Sequence, residues 1–148
     1  MNFLKNFEVR ECGAPVSAAS STDSNSDIID MANYGGVTFM CSVTDSTATG
    51  VATLTAEQDA ANADTSMAAL SGAVATATCT TSDDLNNELL IVEVSKPAKR
   101  YVQVVRTSGT ANIAFGTCYA ILSGKRKGPV SDHSSVLDSA LAVSPVEG

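Results

Sequence analysis

Residues 36–44, GVTFMCSVT, alternate without a break: Val37, Phe39, Cys41 and Val43 fall on one face, and Thr38, Met40, Ser42 and Thr44 on the other. Successive side chains of an extended chain point to opposite sides, so this period of two marks a strand with one face buried. Turn signals bracket the run, NYGG (33–36) before it and DSTATG (45–50) after. The same grammar recurs in VATLTAEQ (51–58), AVATATCTT (73–81), ELLIVEVS (88–95), KRYVQVVRT (99–107) and IAFGTCYAILS (113–123), with DIIDM (27–31) as a short strand. Pro97 closes ELLIVEVS, because proline cannot donate to a ladder. In the last run Ile113, Phe115, Thr117, Tyr119 and Ile121 are expected on one face. Small residues (Ala114, Gly116, Cys118, Ala120) fall on the other, where a second layer or another chain approaches closely. DAANADTSMAALSG (59–72) reads as a long loop with Met67 and Leu70 turned inward.

Strands spaced by turns, with no long amphipathic helix, predict an all-β fold: a Greek-key or jelly-roll β-sandwich of about seven to eight strands. The stretch APVSAASSTDSNSD (14–27) has almost nothing to bury and reads as an extended arm. Phe3, Leu4, Phe7 and Val9 ahead of it either dock on the body or grip a neighbouring molecule. The expected organisation is an N-terminal arm (1–26), a core (27–123) and a C-terminal tail (124–148). One helical turn at SSVLDSALA, capped by Ser134 or Ser135, is expected in the tail.

Ala, Ser and Thr are abundant and Trp is absent, which suits closely packed sheets of small side chains. The opening MNFLKNFEVRECGAP has charged and polar residues where a secretory signal needs a continuous apolar run, and no stretch is apolar enough to span a bilayer. The expected compartment of synthesis is a reducing one. Cys12, Cys41, Cys79 and Cys118 lie far apart in sequence and form no CxxC pair. Buried free thiols are the favoured reading over a disulfide or metal ligation.

Catalytic chemistry finds little to stand on. His133, the one histidine, falls in the polar tail, a poor place to hold a general base. Asp83 and Asp84 sit where a turn uses aspartate for its backbone geometry. The spacing of Asp59 and Asp64 matches no calcium loop. No cofactor and no metal site are expected.

Charge is unevenly placed. The net charge is −7, yet residues 96–127 hold seven basic residues and no acidic one. An acidic whole argues against nucleic acid as the main partner. Lys96, Lys99, Arg100 and Arg106 read either as solubilising guards beside the strands or as a cationic edge that meets an acidic surface. Lys125, Arg126 and Lys127 extend that edge.

The series DIIDMANYGGVTFMCSVT, then LLIVEVSKPAKRYVQVVRTSGTANIAFGTCYAILSGKRKGPV with its K-P-x-x-R-Y-V block and basic-Gly-Pro exit, resembles the head decoration (capsid cement) proteins of tailed bacteriophages over residues 23–130. The resemblance implies a virion structural protein without catalytic residues, placed on the outer capsid surface. It would bridge major capsid subunits as a homodimer or homotrimer, contacting neither nucleic acid nor membrane. Phe3, Leu4, Phe7, Lys96, Lys99, Arg100, Lys125, Arg126 and Lys127 are the expected partner-binding residues. The alternative is a glycan-binding sandwich on a phage tail or fibre, for which Tyr34, Tyr101 and Tyr119 would have to supply the platform.

Overall fold

The alternating run of residues 36–44 forms part of the central strand of one sheet, with Val37, Phe39, Cys41 and Val43 all at most 2% exposed. A computed structural model describes residues 1–143. Ten strands are present among them: β1 (Glu8–Gly13), β2 (Val16–Ala19), β3 (Thr22–Asn25), β4 (Ile29–Asp30), β5 (Gly36–Ser46), β6 (Val51–Asp59), β7 (Ala68–Thr78), β8 (Leu89–Ser95), β9 (Tyr101–Gly109) and β10 (Ile113–Ser123). A single helical turn, Phe3–Asn6, precedes them, and a 3₁₀ turn, Asp64–Ser66, leads into β7.

β1 and β2 both pair with β10, and β3 and β4 both pair with β9, so each couple is one interrupted edge strand. Counted that way the described residues form eight strands. One sheet runs β1/β2–β10–β5–β8 and the other β3/β4–β9–β6–β7, antiparallel throughout. Numbered one to eight, these orders are 1-8-3-6 and 2-7-4-5, the jelly-roll arrangement of two interlocked Greek keys. The core between the sheets is built on Phe39, Leu54, Ile113, Phe115 and Leu122, each at most 1% exposed.

Three segments depart from the sequence-based expectation. Residues 8–25 are not an arm, because they supply edge strands to both sheets, and Cys12 is fully buried. The sandwich therefore starts at Glu8 rather than at residue 27. Within 59–72 the expected loop gives way to strand at Ala68. The tail forms no helix at SSVLDSALA: Ser135 instead accepts a hydrogen bond from the Glu11 N–H at 3.1 Å, beside β1. Residues 144–148 of the expected tail lie outside the described residues.

The faces of β10 differ as well. Ile113 and Phe115 point into the core, but so do Cys118, Ala120 and Leu122, while Tyr119 is 45% exposed. The register against β5 slips between Phe115 and Cys118, which pair with Val43 and Cys41. The extra residue on β10 is a bulge, and one inserted residue exchanges the two faces of everything after it. Gly116 permits this, since a Cβ there would stand 2.2 Å from the Ser42 Oγ. The small residues past the bulge thus face the protein's own second sheet.

Arg106 holds the bulge from across the sandwich. It is 3% exposed, and its Nη1 donates to the carbonyl oxygens of Gly116 (3.3 Å) and Ala14 (2.7 Å). The first carbonyl belongs to the bulge and the second to the gap between β1 and β2, so one guanidinium satisfies backbone acceptors that the broken ladders leave over. No acidic group pairs with it among the described residues, and it is no solubilising surface guard. All four cysteines are buried free thiols. Cys41 donates to the same Gly116 oxygen at 3.4 Å.

Arg106→Ala should therefore destabilise the fold by about 3 kcal/mol in urea unfolding, through two lost charge-assisted bonds and the cavity left behind. Arg106→Met, which keeps the volume, should cost distinctly less. Equal midpoints for wild type and Arg106→Ala would remove the guanidinium from this role.

Candidate functional site

An eight-strand antiparallel sandwich brings alternate connections and both chain ends to one side. The 31–35 connection, the 96–100 connection and the exit from β10 meet there. The Met31 N–H donates to Arg100 O (2.8 Å), Lys96 N–H to Gly35 O (2.7 Å), Gly35 N–H to Ser123 O (2.9 Å) and Arg126 N–H to Asn33 O (2.9 Å). Pro97 stops β8 and Lys96 adopts φ 51°, turning the chain back on itself. Gly124 at φ 65° serves the other turn, packed so near Gly35 that a Cβ would lie 3.3 Å from its nitrogen.

These turns enclose a depression of about 340 Å³ over Met31 and Tyr34, rimmed by Lys96, Lys99, Arg100 and Arg126. Its cations are of two kinds. Arg100 binds Asp30 through Nε and Nη2 at 2.9 and 2.7 Å, with its guanidinium carbon 5.1 Å from the Tyr101 ring centre, and Lys99 Nζ lies 3.3 Å from Asp59. Lys96 and Arg126 have no acidic partner among the described residues. Lys125 turns its Nζ to Pro129 O at 3.0 Å, and Lys127 is exposed.

The N-terminal turn sits beside this end. Phe3 is 47% exposed and stacks on Phe7 with ring centres 4.9 Å apart. Phe7 shares a hollow with Lys125 and Val130, while Leu4 faces Val130 and Leu141 across another. The Val130 N–H donates to Lys5 O at 3.4 Å. The nine residues singled out from the sequence, drawn from three separate stretches, therefore gather at one end of the sandwich.

Sequence reasoning missed the network beneath them. Tyr34, 6% exposed, donates its hydroxyl to Glu8, whose other oxygen accepts from Arg10 Nε. Burial pushes the Glu8 carboxyl up, but the Tyr34 and Arg10 bonds outweigh it and hold the group below its ordinary value. Burial and the Glu8 contact together push Tyr34 up to about 12. The bond from Arg100 lowers Asp30, and the Ser66 hydroxyl and Ala60 N–H hold Asp59 at about 2. Tyr34 is thus a structural donor and no platform for a sugar. Tyr101 is half-buried under Arg100, which leaves Tyr119 as the exposed tyrosine, on a sheet face remote in the fold from these turns.

The lining of the depression contains no His, Cys or Ser. Its chemistry is electrostatic: it can take carboxylates from an acidic surface. His133 lies half-buried in the tail with Nδ1 2.9 Å from the Ser135 Oγ, a contact between residues two apart in a turn. Asp84 accepts from the Thr80 and Thr81 backbone in its own turn, and Asp64 accepts from Asn25 and Gln103. Among the described residues no group of three His, Cys, Asp or Glu is placed to hold a metal ion, and no helix is long and apolar enough to cross a membrane.

No protein-family model matches the chain, and no curated protein matches it. Among solved structures it is similar to the PBSX exported protein XepA, at a TM-score of 0.52 and 16% identity, over 96% of this chain and 45% of that one. The chain thus spans a little under half of that protein's length. A structure titled "CBM4 structure and function" matches at a TM-score of 0.43 and 13% identity, over 86% of this chain and 80% of that one. Desmodium yellow mottle tymovirus matches at 0.32 and 12%, over 86% and 91%. The first is a likeness of fold, and the other two are too distant to carry an argument.

Glu8, Asp30 and Asp59 all lie below their ordinary values of 4.5, 3.8 and 3.8 in the folded chain. Their contribution is complete above those values and is lost as pH falls through the folded ones. The thermal midpoint should therefore hold level from pH 7 to about 5 and fall progressively below about 4. Tyr34→Phe, which leaves the buried Glu8 oxygen without its donor, should lower the plateau itself, as scanning calorimetry would show.

Proposed function

We propose that this chain is a structural protein of a tailed-phage virion. On this reading it decorates the outer capsid surface and bridges major capsid subunits through the end of the sandwich that carries Phe3, Lys96, Arg126 and Lys127. The observation that carries the reading is the gathering there of cations without acidic partners among the described residues, beside an exposed aromatic group, on a chain whose net charge is −7. An acidic body with one cationic end approaches an acidic surface in a preferred orientation. The jelly-roll frame, the sequence resemblance over residues 23–130 and the fold shared with the PBSX exported protein XepA support the same assignment.

A shell offers many equivalent sites, so modest contacts repeated by self-associated copies add up through avidity. The grip comes from one end of a rigid body, since residues 8–25 are built into both sheets. Removing residues 1–20 would strip β1 and β2 from the core, whereas removing 1–6 spares every strand.

The test is co-sedimentation with heads assembled from the major capsid protein of the same genome, expanded and unexpanded. Wild type should bind. Arg126→Glu/Lys127→Glu should weaken binding by at least about tenfold while leaving the circular dichroism spectrum unchanged, and deletion of residues 1–6 should weaken it further. Wild-type protein that pellets with neither head form refutes the proposal, and a specific signal on a glycan array in that case points to the sugar-binding alternative.

A further inference from the structure

Four strand edges bound the two sheets, and three of them are broken. The β1/β2 edge is interrupted at Ala14 and Pro15, and the β3/β4 edge between Asn25 and Ile29. β7 slips register against β6 between Thr55 and Glu57 and bends at Gly72, φ 79°. β8 is different. All seven residues, Leu89–Ser95, pair with β5 in continuous register, and no strand among the described residues pairs with the other side.

The Val43 N–H donates to Glu88 O, and the Lys96 N–H to Gly35 O. An antiparallel ladder alternates, so even-numbered residues bond toward β5 while Leu89, Ile91, Glu93 and Ser95 turn their backbone groups outward. The outer face is apolar too. Leu89 and Ile91 are 56% and 51% exposed, and Ile91 continues through Met40 to Tyr119 in one cross-strand row. Leu89 and Ile91 make the first half of this regular edge apolar, with Glu93 exposed in its second half, and an unpaired ladder of this kind is a template for another strand.

The charges at its two ends say which strand. Glu88 precedes β8 and Lys96 follows it; both are exposed, and neither is in an ion pair among the described residues. We propose that β8 pairs antiparallel with β8 of a second copy, about a two-fold axis at Val92. That register sets each Glu88 against the partner's Lys96 and each Ile91 against the partner's Glu93. It also keeps the two Glu93 carboxylates from facing each other. A parallel arrangement would put like charge against like at both ends. The pairing deepens the self-association in the reading above; it engages Lys96 with the partner's Glu88 and leaves Arg126 and Lys127 to the cationic end.

Sedimentation equilibrium of the full chain tests it. Wild type should show a monomer–dimer equilibrium. Glu88→Lys should raise its dissociation constant by at least about tenfold, with urea midpoint and circular dichroism unchanged. Glu88→Lys/Lys96→Glu should restore dimerisation to within about threefold of wild type. A monomer at every concentration, a dimer indifferent to Glu88→Lys, or a loss that the second reversal does not repair each overturns the proposal. A monomer that still co-sediments with heads overturns the pairing and leaves the capsid reading standing. A dimer that ignores heads does the reverse.

Discussion

The sandwich depends on how one buried guanidinium resolves a conflict in β10. That strand must fill the core with Ile113 and Phe115 at one end and with Cys118, Ala120 and Leu122 at the other, two sets of opposite parity. A bulge reconciles them, but a bulge inside a sheet strands backbone acceptors away from water, each costing about 1–3 kcal/mol if left unpaired. Arg106 reaches over from β9 and supplies donors to Gly116 O and Ala14 O. The desolvated charge is tolerable because Nη1 meets two carbonyl dipoles, while Nε stays buried without a partner among the described residues. Gly13 leaves room for it, since a Cβ there would lie 2.7 Å from Nη2. The point where β10 changes phase is also where β1 hands over to β2, so both irregularities share one remedy.

The sheet architecture was legible wherever apolar residues alternate. β5, β6 and β8 announce themselves because one face of each must be buried and the other need not be. Residues 14–25 gave no such signal: an edge strand pairs on one side only, and backbone bonds hold VSAA and TDSN in place with almost no apolar burial. β7 was half-hidden for the same reason, its pattern of small exposed residues resembling a loop. Gly116 was the available clue to the bulge, since glycine inside a strand marks one. Reading strict alternation through it assigned the later faces wrongly. Arg106 was misjudged because arginine in a strand is usually a surface residue.

The candidate site was legible as a list of residues but not as a place. Even strand number explains why it became one. Eight strands that alternate in direction return the C-terminus to the side where the N-terminus began. The connections after the second, fourth and sixth strands fall on that side too. Phe3, Lys96 and Arg126 meet because of this parity, whatever the sequence distance between them. Asp59, at the end of β6, reaches Lys99 by the same rule.

What the list of charges concealed is their division of labour. Arg100 and Lys99 are spoken for by Asp30 and Asp59, and those bonds fasten the 96–100 connection to β4 and β6. Exposed pairs of this kind add little stability, but they fix the backbone from which Lys96 projects, while the Arg126 backbone is held by its own N–H bond to Asn33 O. A loop that wandered would spend the attraction of its free cations on ordering itself before it could bind anything. Holding Lys99 and Arg100 in internal pairs keeps Lys96 in position. In a chain with so large an acidic excess, cations at one end without acidic partners among the described residues are the feature that the fold alone does not explain.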